Sequence, residues 1–276
     1  MKIDAHQHYW KLSRGDYGWL TPDKGPIYRD FMPEDIEPHL ARHGIARTIL
    51  VQAAPTEAET KFLLQLAVTT QSAAGVVGWV DFEAPDANAR LAALAKHDKF
   101  LGVRPMLQDI EDPEWLLEHV STDCRAVMVA EGLVFDALVH PRHLPILIAF
   151  MSRTLCPKIV IDHCAKPWRR AIGSNRKLWE TDMAALAARG AWCKLSGFVA
   201  DIGEDWTVAT IESTVRFVLD TFGPDKIIWG SDWPVVNLAG GYDKWHDAAR
   251  DLAGAYPQIF GANARACYLA KRGGNW

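Results

Sequence analysis

The stretch RTILVQAAPTEAETKFLLQLAVTTQS, residues 47–72, joins a short apolar run to a segment with helical periodicity. The run at 47–52 has the length and the branched side chains of a buried strand. Thr56 followed by Glu59 is the pattern of a capping box, which predicts that a helix begins there. The stretch is therefore predicted to be one strand–helix unit.

This strand–helix unit recurs along the whole chain. Apolar strands that alternate with helices predict a parallel sheet that is covered on both faces. Eight such units in 276 residues predict an α/β fold, a (β/α)8 TIM barrel, in a single domain spanning residues 1–276. The eight runs are KIDAH (2–6), RTILVQ (47–52), GVVGWV (75–80), FLGVRP (100–105), LVFDALV (133–139), KIVIDHC (158–164), AWCKLSG (191–197) and KIIWGSD (226–232).

The connection between the first two runs departs from the short loops of the other units. Residues 7–46 are rich in Trp, Tyr, Gly and Pro, and only the end of the segment, at 34–44, has a helical pattern. Long connections in compact domains are usually functional or disordered, and this one is too aromatic for disorder. It is predicted to form a lid or wall over the barrel mouth, with a packed surface loop as the alternative.

Composition and charge exclude several classes of function. The formal net charge is −4 with both signs interspersed, so no nucleic-acid surface is expected. No apolar stretch approaches the roughly 20 residues of a membrane span, and Met1 leads into a strand-like segment without signal-peptide features. The five cysteines lack CxxC spacing, which favours reduced thiols and a cytoplasmic location.

Polar residues at the carboxyl end of the first strand suggest an active site. Catalytic groups of such barrels lie at the carboxyl ends of the strands, and side chains along a strand alternate between its two faces. On that alternation Asp4, His6 and His8 share one face, whereas Ile3 and Ala5 share the other. Asp4 is then one layer deeper and is predicted to be hydrogen-bonded scaffold.

The sixth and eighth strands end in similar residues. Alternation places His163 on the same inward face as Ile159 and Ile161, and leaves Asp162 out of phase as a structural residue. Asp232 ends the eighth strand on its inward face. We therefore expect a second, distant part of the chain to contribute a carboxylate and an imidazole to the site.

The four inward residues are expected to converge above the barrel. Three imidazoles and one carboxylate are donor groups that zinc accepts, so His6, His8, His163 and Asp232 form a candidate mononuclear metal site. The same residues also allow a metal-free site, in which the histidines polarise a carbonyl and Asp232 acts as general base toward a water molecule.

Several of these stretches resemble the amidohydrolase superfamily and, within it, the lactonase branch of sugar lactonases and pyrone-dicarboxylate lactonase. The resemblance covers essentially the whole chain and rests on DAHQHYW, GVR, FDALV, IDHCAKP, CKLSG and GSDWPV. It implies a (β/α)8 barrel that hydrolyses a cyclic ester, such as an L-fucono- or L-rhamnono-lactone, in carbohydrate catabolism.

The chain also departs from the superfamily pattern. Binuclear members carry a metal-bridging Lys or Glu on a middle strand, but no such residue ends FLGVRP, and LVFDALV offers only Asp136. His140 and His143 lie at a helix start instead of supplying a further ligand. At most one divalent metal ion, with zinc favoured, or no metal is expected. Asp4 precedes the histidines in a DAH rather than an ExH pattern, which weakens an aromatic-acid decarboxylase as the alternative.

The positions of these residues suggest a hydrolytic mechanism and a set of substrate contacts. Asp232 would deprotonate water, the histidines would stabilise the oxyanion directly or through one metal ion, and Asp232 would then protonate the leaving ring oxygen. No role is predicted for Lys194 and Ser196, which are in phase with each other. The residues expected to contact the lactone are Arg104, Lys166, Gln52, Gln108, Trp19 and Trp79, each with a structural role as the alternative.

Two further readings stay open. The run Trp168-Arg169-Arg170 would bind a carboxylate if it faced the site, which would favour a pyrone-dicarboxylate type of lactone. A barrel that has lost catalysis and only binds a ligand is the non-enzymatic alternative, against which the full set of four polar residues argues. The expected partner is a small-molecule lactone, with no nucleic acid and no membrane, and the protein is expected to be a monomer or homodimer.

Overall fold

Eight parallel strands form one sheet whose order follows the chain from β1 to β8. The computed structural model describes residues 1–167 and 175–270. The arrangement confirms the predicted (β/α)8 barrel, and each predicted apolar run overlaps one strand. The strands are β1 Lys2–Gln7, β2 Ile45–Val51, β3 Ala73–Gly78, β4 Phe100–Val103, β5 Val134–Ala137, β6 Lys158–Ile161, β7 Trp192–Leu195 and β8 Ile227–Trp229.

The barrel closes where the segment after β8 meets β1. The backbone N–H of Asp232 donates to the carbonyl of His6 at 2.7 Å, and the N–H of His8 donates to the carbonyl of Trp233 at 2.7 Å. Gln7 and Trp233 form a parallel bridge at the same place. This seam continues the β-pairing beyond β8 and joins the first and last candidate site segments.

Helices follow the strands and surround the barrel. The last of them closes the amino-terminal end, where Ala262–Ala264 continues into a π-helical turn at Arg265–Leu269. The helices are α1 Pro33–His43, α2 Glu57–Thr69, α3 Ala87–Ala95, α4 Trp115–His119, α5 Thr122–Glu131, α6 Leu144–Met151, α7 Arg176–Ala188, α8 Val208–Phe222, α9 Gly241–Ala253 and α10 Ala262–Ala264. None of the helices within the described ranges combines the length and the apolar character that crossing a bilayer requires.

The apolar side chains form two layers. One cluster fills the barrel interior with residues from every strand, such as Ile49, Val160 and Ile228, and is closed at its base by Tyr268. The other cluster lies between the strands and the surrounding helices. Side chains of one strand thus enter different layers according to their phase, which is the pattern expected of a TIM barrel.

The predicted capping box at α2 is only half formed. The hydroxyl of Thr56 accepts from the N–H of Glu59 at 3.0 Å, as expected of an N-cap. The buried carboxylate of Glu59 instead accepts from the backbone N–H groups of Ala53 and Ala54 at 2.8–3.0 Å. Glu59 therefore holds the loop that leads from β2 into the barrel mouth.

The long connection after β1 is ordered by backbone and aromatic contacts. It contains 3-10 turns at Leu12–Arg14 and Pro22–Ile27 before α1 begins. Trp10 and Phe31 exchange two backbone hydrogen bonds of 3.0 Å, which ties the start of the connection to its end. The indole N–H of Trp19 donates to the carbonyl of Ala53 at 2.7 Å, so this segment lies beside the β2–α2 loop.

Candidate active site

Three imidazoles and one carboxylate meet at the carboxyl end of the barrel. Oδ1 of Asp232 lies 3.2 Å from Nε2 of His8, 3.5 Å from Nε2 of His6 and 3.9 Å from Nε2 of His163. All four residues are buried, with relative exposures of 4% or less. The structure therefore brings together the four residues that the sequence singles out.

A bulge in β1 allows two histidines of one strand to reach the same centre. Asp4 pairs with Thr48 and Gln7 with Leu50, so three steps along β1 face two steps along β2. The expected shared face of Asp4 and the histidines is consequently wrong. Ala5 faces the barrel interior, whereas the carboxylate of Asp4 accepts from the hydroxyl of Tyr242 on α9 at 3.2 Å.

His163 reaches the site through a left-handed turn instead of strand alternation. The side chains of Ile159 and Ile161 pack in the layer between strands and helices, so the expected common face with His163 is wrong. L-residues adopt left-handed backbone at a cost of roughly 1–2 kcal/mol each, and such runs persist where surrounding contacts hold them. The positive φ values are 55° at His163, 51° at Cys164, 56° at Ala165 and 53° at Lys166.

Asp162 also lies inward, contrary to the structural position expected for it, because it is in phase with Val160, which faces the barrel interior. Its carboxylate lies 3.4 Å from Nδ1 of His6 and 3.2 Å from Nζ of Lys194. Gly197 makes room for His163, because a Cβ atom at Gly197 would lie 2.1 Å from its Nδ1. The ring of His163 is held next to Gly197 by a hydrogen bond of 3.0 Å between its Nδ1 and the hydroxyl of Ser196.

The donor set fits a divalent cation. In His8, Nδ1 is 2.7 Å from the carbonyl of Val51, which can only accept, so Nδ1 bears the proton and the lone pair of the neutral ring is on Nε2. That lone pair faces Oδ1 of Asp232, an arrangement that calls for a cation or a further proton between them. Ligand atoms of a tetrahedral zinc site are roughly 3.3 Å apart. Oδ1 of Asp232 lies 3.2 Å from Nε2 of His8 and 3.5 Å from Nε2 of His6, and these three residues could hold one ion, whereas His163 groups with His6 and Asp162.

Charge is distributed so that the carboxylate stays ionised and the buried rings stay neutral. Burial alone would raise the pKa of Asp232, but His163, a hydrogen bond with His8, and His6 lower it below the usual range. Burial lowers the pKa of His163 to about 4. Burial and the Lys194 ammonium hold the pKa of His6 well below its ordinary value. At neutral pH Asp232 is therefore a base and His6 and His163 are uncharged.

A buried ion-pair network lies beneath the histidines. Nζ of Lys194 contacts Oδ2 of Asp136, and Oδ1 of Asp136 accepts from the hydroxyl of Tyr268 at 2.6 Å. Burial alone would lower the pKa of Lys194, but Asp136 and Asp162 raise it, so the ammonium is charged. The sequence offered one signal of this network, the common phase of Lys194 and Ser196, but gave no partner for it.

Arg104 projects from the end of β4 into the same centre. Its Nη1 lies 3.3 Å from Nε2 of His6 and 3.4 Å from Oδ2 of Asp162. Two hydrogen bonds join Gln52 to Arg104. The side-chain amide of Gln52 donates to the backbone carbonyl of Arg104 at 2.6 Å, and the backbone carbonyl of Gln52 accepts from Nη2 of Arg104. Gln52 thus lies behind Arg104 and is not part of the cavity wall.

A cavity of about 230 Å³ opens above these residues. Among the residues predicted to contact substrate, Arg104, Gln108, Lys166 and Trp19 line it. Nζ of Lys166 donates to the side-chain carbonyl of Gln108 at 2.6 Å. Trp79 does not line the cavity, because it follows β3 and its backbone N–H and carbonyl are both bonded to the Thr60 hydroxyl of α2, at 2.7 and 3.0 Å.

The cavity wall also includes residues that sequence patterns did not identify. Apart from Leu138, which lies within the fifth apolar run, they come from loops and 3-10 turns without a regular period, so strand and helix periods carried no signal for them. Trp168, Arg169 and Arg170, considered for carboxylate binding, lie outside the described residues. The additional lining residues include Lys24, Met106, Leu138, Asp201, Val235 and Leu238.

Comparisons with known proteins identify similar chains. Residues 3–269 match the family described as amidohydrolase. An L-fucono-1,5-lactonase of Burkholderia ambifaria is 44% identical, over 98% of this chain and 96% of its own. An L-fucono-1,5-lactonase of Burkholderia multivorans is 33% identical over 97% and 96% of the two chains. The crystal structure of a Burkholderia multivorans amidohydrolase with bound zinc has a TM-score of 0.85 at 32% identity, over 97% of this chain and 99% of that one.

Proposed function

The chain belongs to the amidohydrolase family, and we propose that it is a lactonase that opens the cyclic ester of a sugar-acid lactone similar to L-fucono-1,5-lactone. One observation supports this most directly: the ionised Asp232 carboxylate lies among three imidazoles at the floor of a cavity of about 230 Å³. A cavity of that size holds one sugar ring. The two curated L-fucono-1,5-lactonases give the substrate class.

Asp232 is the general base of the proposed reaction. A water molecule that donates to its carboxylate loses a proton to Oδ1 while the water oxygen forms a bond to the ester carbonyl carbon. The low pKa of Asp232 keeps the carboxylate available at neutral pH. Its burial also limits competition from bulk water, which strengthens its hydrogen bond to the attacking molecule.

The carbonyl oxygen gains negative charge as the water adds. Arg104 provides a cationic donor next to the histidine cluster, with Nη1 3.3 Å from Nε2 of His6. Donors that are already fixed when charge develops commonly contribute a factor of about 10²–10³ to turnover. The ring C–O bond then breaks, the ring oxygen takes the proton from Asp232, and the product is the open hydroxy acid.

The same residues would hold one metal ion. A divalent cation such as zinc, bound by the three imidazoles and Asp232, supplies Lewis-acid polarisation of the ester carbonyl. The lone-pair contact between His8 and Asp232, at 3.2 Å, supports this assignment. Catalysis without metal uses the same residues as hydrogen-bonding groups, and a chelator distinguishes the two.

The cavity wall suggests how the lactone is oriented. Lys166 and Gln108 offer polar groups for ring hydroxyls, and Trp19 offers an aromatic face for the apolar side of a sugar ring. Leu138 and Val235 add an apolar patch, which suits a carbon substituent without charge. Arg104 is placed for the reacting carbonyl.

The test is acid release from a panel of aldono-γ- and δ-lactones and pyrone dicarboxylate, in a weakly buffered pH indicator with and without chelator. Rapid release from a sugar lactone that is lost in Asp232→Asn is the expected result. Release from the dicarboxylate alone would identify the other lactone type. If no lactone of the panel releases acid and the protein decarboxylates a hydroxybenzoate, the lactonase assignment is wrong and the protein is a decarboxylase.

We also propose a cytoplasmic location, with a monomer or a homodimer as the working form. All five cysteines are unpaired, as is usual in reducing compartments. Size-exclusion chromatography coupled to light scattering tests the oligomeric state, and fractionation of the source cells tests the location.

A further inference from the structure

Lys194 is a cation enclosed by the barrel, with no contact to solvent. Its Nζ contacts Oδ2 of Asp136, lies 3.2 Å from Oδ1 of Asp162 and is 3.2 Å from Nδ1 of His6. An ammonium has three N–H donors and no acceptor. Within the described part of the chain, Lys194 meets hydrogen-bond geometry with Asp136 and His6, whereas Asp162 is an ion-pair partner only, so the contact with His6 needs a lone pair on Nδ1.

The other ring nitrogen of His6 has a competing donor. Nη1 of Arg104 lies 3.3 Å from Nε2, but a neutral imidazole has one lone pair and one N–H. Arg104 has further acceptors, since it also donates to the carbonyl of Gln52 and lies 3.4 Å from Asp162. Lys194 is held from both sides by carboxylates and cannot turn away. Oδ1 of Asp162 meets hydrogen-bond geometry with neither His6 nor Lys194.

We infer that Lys194 is a positioning residue that selects the tautomer of His6. It donates to Nδ1, so that Nε2 carries the proton and points into the site, where Oδ1 of Asp232 is 3.5 Å away. The inference deepens the proposed lactonase function and rests on it for its catalytic meaning. His6 then supplies an N–H donor to the carbonyl oxygen of the lactone.

The same tautomer weakens the binding of divalent cations. A cation bound at Nε2 requires the proton to move to Nδ1, where it would face the Lys194 ammonium at 3.2 Å. Lys194 therefore opposes occupancy of the site by metal and favours the metal-free form. Without Lys194, Asp162 at 3.4 Å becomes the partner of Nδ1–H, which is the usual arrangement behind a metal-bound imidazole.

The first test needs no change at Lys194. Long-range ¹H–¹⁵N spectra of the full-length, metal-free protein with ¹⁵N-labelled histidine report the tautomer of each ring, and His6→Gln identifies the His6 signals. The expected result is a neutral His6 that is protonated at Nε2. A His6 ring protonated at Nδ1 would overturn the inference.

The second test separates the tautomer from simple charge. Lys194→Met alone would leave two buried carboxylates without their cation, and these would attract metal ions whatever the tautomer of His6. Lys194→Met is therefore combined with Asp136→Asn, which keeps the net charge unchanged. Zinc affinity, measured by competition with a chromophoric chelator, is expected to rise about 10–100-fold in the double variant. Affinity equal to that of the unmodified protein would contradict the role given to Lys194.

Lys158→Met is the matched control. Lys158 begins β6, and its ammonium donates to the carbonyl of Cys267 at the other end of the barrel. It should change neither the His6 spectrum nor zinc affinity. Neither readout uses a lactone, so an unreactive unmodified protein with the expected spectrum would remove the lactonase function and leave the tautomer assignment standing. With an active enzyme, the double variant should lower kcat about 10–100-fold with little change in KM.

Discussion

Nε2 of His8 lies 3.2 Å from Oδ1 of Asp232, although 224 positions separate the two residues. The contact sits on the seam where the chain after β8 pairs with β1, beside the 2.7 Å hydrogen bond from the N–H of Asp232 to the carbonyl of His6. Closure of the barrel and assembly of the site are thus the same structural event. Substitutions at this seam are therefore expected to lower activity even where they leave the packing of the surrounding helices intact.

Replacing Asp232 by Asn should remove most of the activity while the fold remains. An amide has almost no basicity, so water is no longer deprotonated, and a loss on the order of 10²–10³ or more in kcat is expected. Lactone-dependent acid release measures it. Asp225→Asn is the control, because Asp225 is exposed and lies at the opposite end of the same strand. Near-normal turnover in Asp232→Asn would remove the general-base assignment.

Replacing Gly197 by Ala should displace His163. Gly197 has a φ of 62°, and an added Cβ would lie 2.1 Å from Nδ1 of the ring. Gly44→Ala is a matched control, because its φ is 63° and nothing lies within 4 Å of an added Cβ. Both variants should lose about 1–2 kcal/mol of unfolding free energy from left-handed strain, but only Gly197→Ala should lose at least tenfold in kcat. Equal kcat values in the two variants would argue against the steric explanation.

Replacing Lys166 by Met should weaken substrate binding. Lys166 lines the cavity and is bonded to Gln108 at 2.6 Å, which places it beside the bound lactone. A contact made equally in the bound substrate and the transition state affects KM alone, so KM is expected to rise about tenfold with kcat nearly unchanged. Lys61→Met, at an exposed position of α2, should change neither constant. A fall in kcat at constant KM would instead assign Lys166 to the transition state.

The contact between α1 and α9 should make stability depend on acid pH. Oδ1 of Asp243 lies 3.0 Å from Nδ1 of His39 and 2.8 Å from Nε2 of His43. Burial alone would raise its pKa, but hydrogen bonds with His43 and His39 lower it from 3.8 to about 2. A carboxyl group whose pKa is depressed by folding stabilises the protein above the pKa of the unfolded state, and this contribution is lost as pH falls through the folded value.

The difference in Tm between the unmodified protein and Asp243→Asn should therefore be full at pH 6 and shrink as pH falls from 3.8 toward 2. Thermal unfolding followed by circular dichroism measures it. Asp247→Asn provides the comparison, since Asp247 also lies beside a histidine but its side chain is 71% exposed. A Tm difference that stays constant down to the lowest accessible pH would show that Asp243 acts by packing and not by charge.

The strand–helix architecture was predictable because its signals are local. Each of the eight apolar runs carries its own length and composition, and each overlaps one strand of the barrel. The residues at the carboxyl ends of those strands, His6, His8 and Asp232 among them, could be chosen because the fold class fixes which end of a strand carries chemistry.

The faces of those residues were less predictable. Strict alternation misplaced Asp4, because a bulge in β1 adds a residue against β2. The choice of inward face was also wrong for β6, where Asp162 lies inward in phase with Val160, and His163 reaches the site only because residues 163–166 form a left-handed turn. Alternation describes a regular strand, whereas bulges and left-handed turns are held by contacts with neighbouring elements.

The identity of the barrel and of its four central polar residues thus followed from periodicity and position along the chain. The pairing of Lys194 with Asp136 and His6, the placement of Gln52 behind Arg104, and the entry of Lys24 into the cavity wall did not. Those relationships join residues that are far apart in the chain. Their geometry exists only after the barrel has closed and excluded water from its interior, because closure sets the distances on which hydrogen bonds and ion pairs depend.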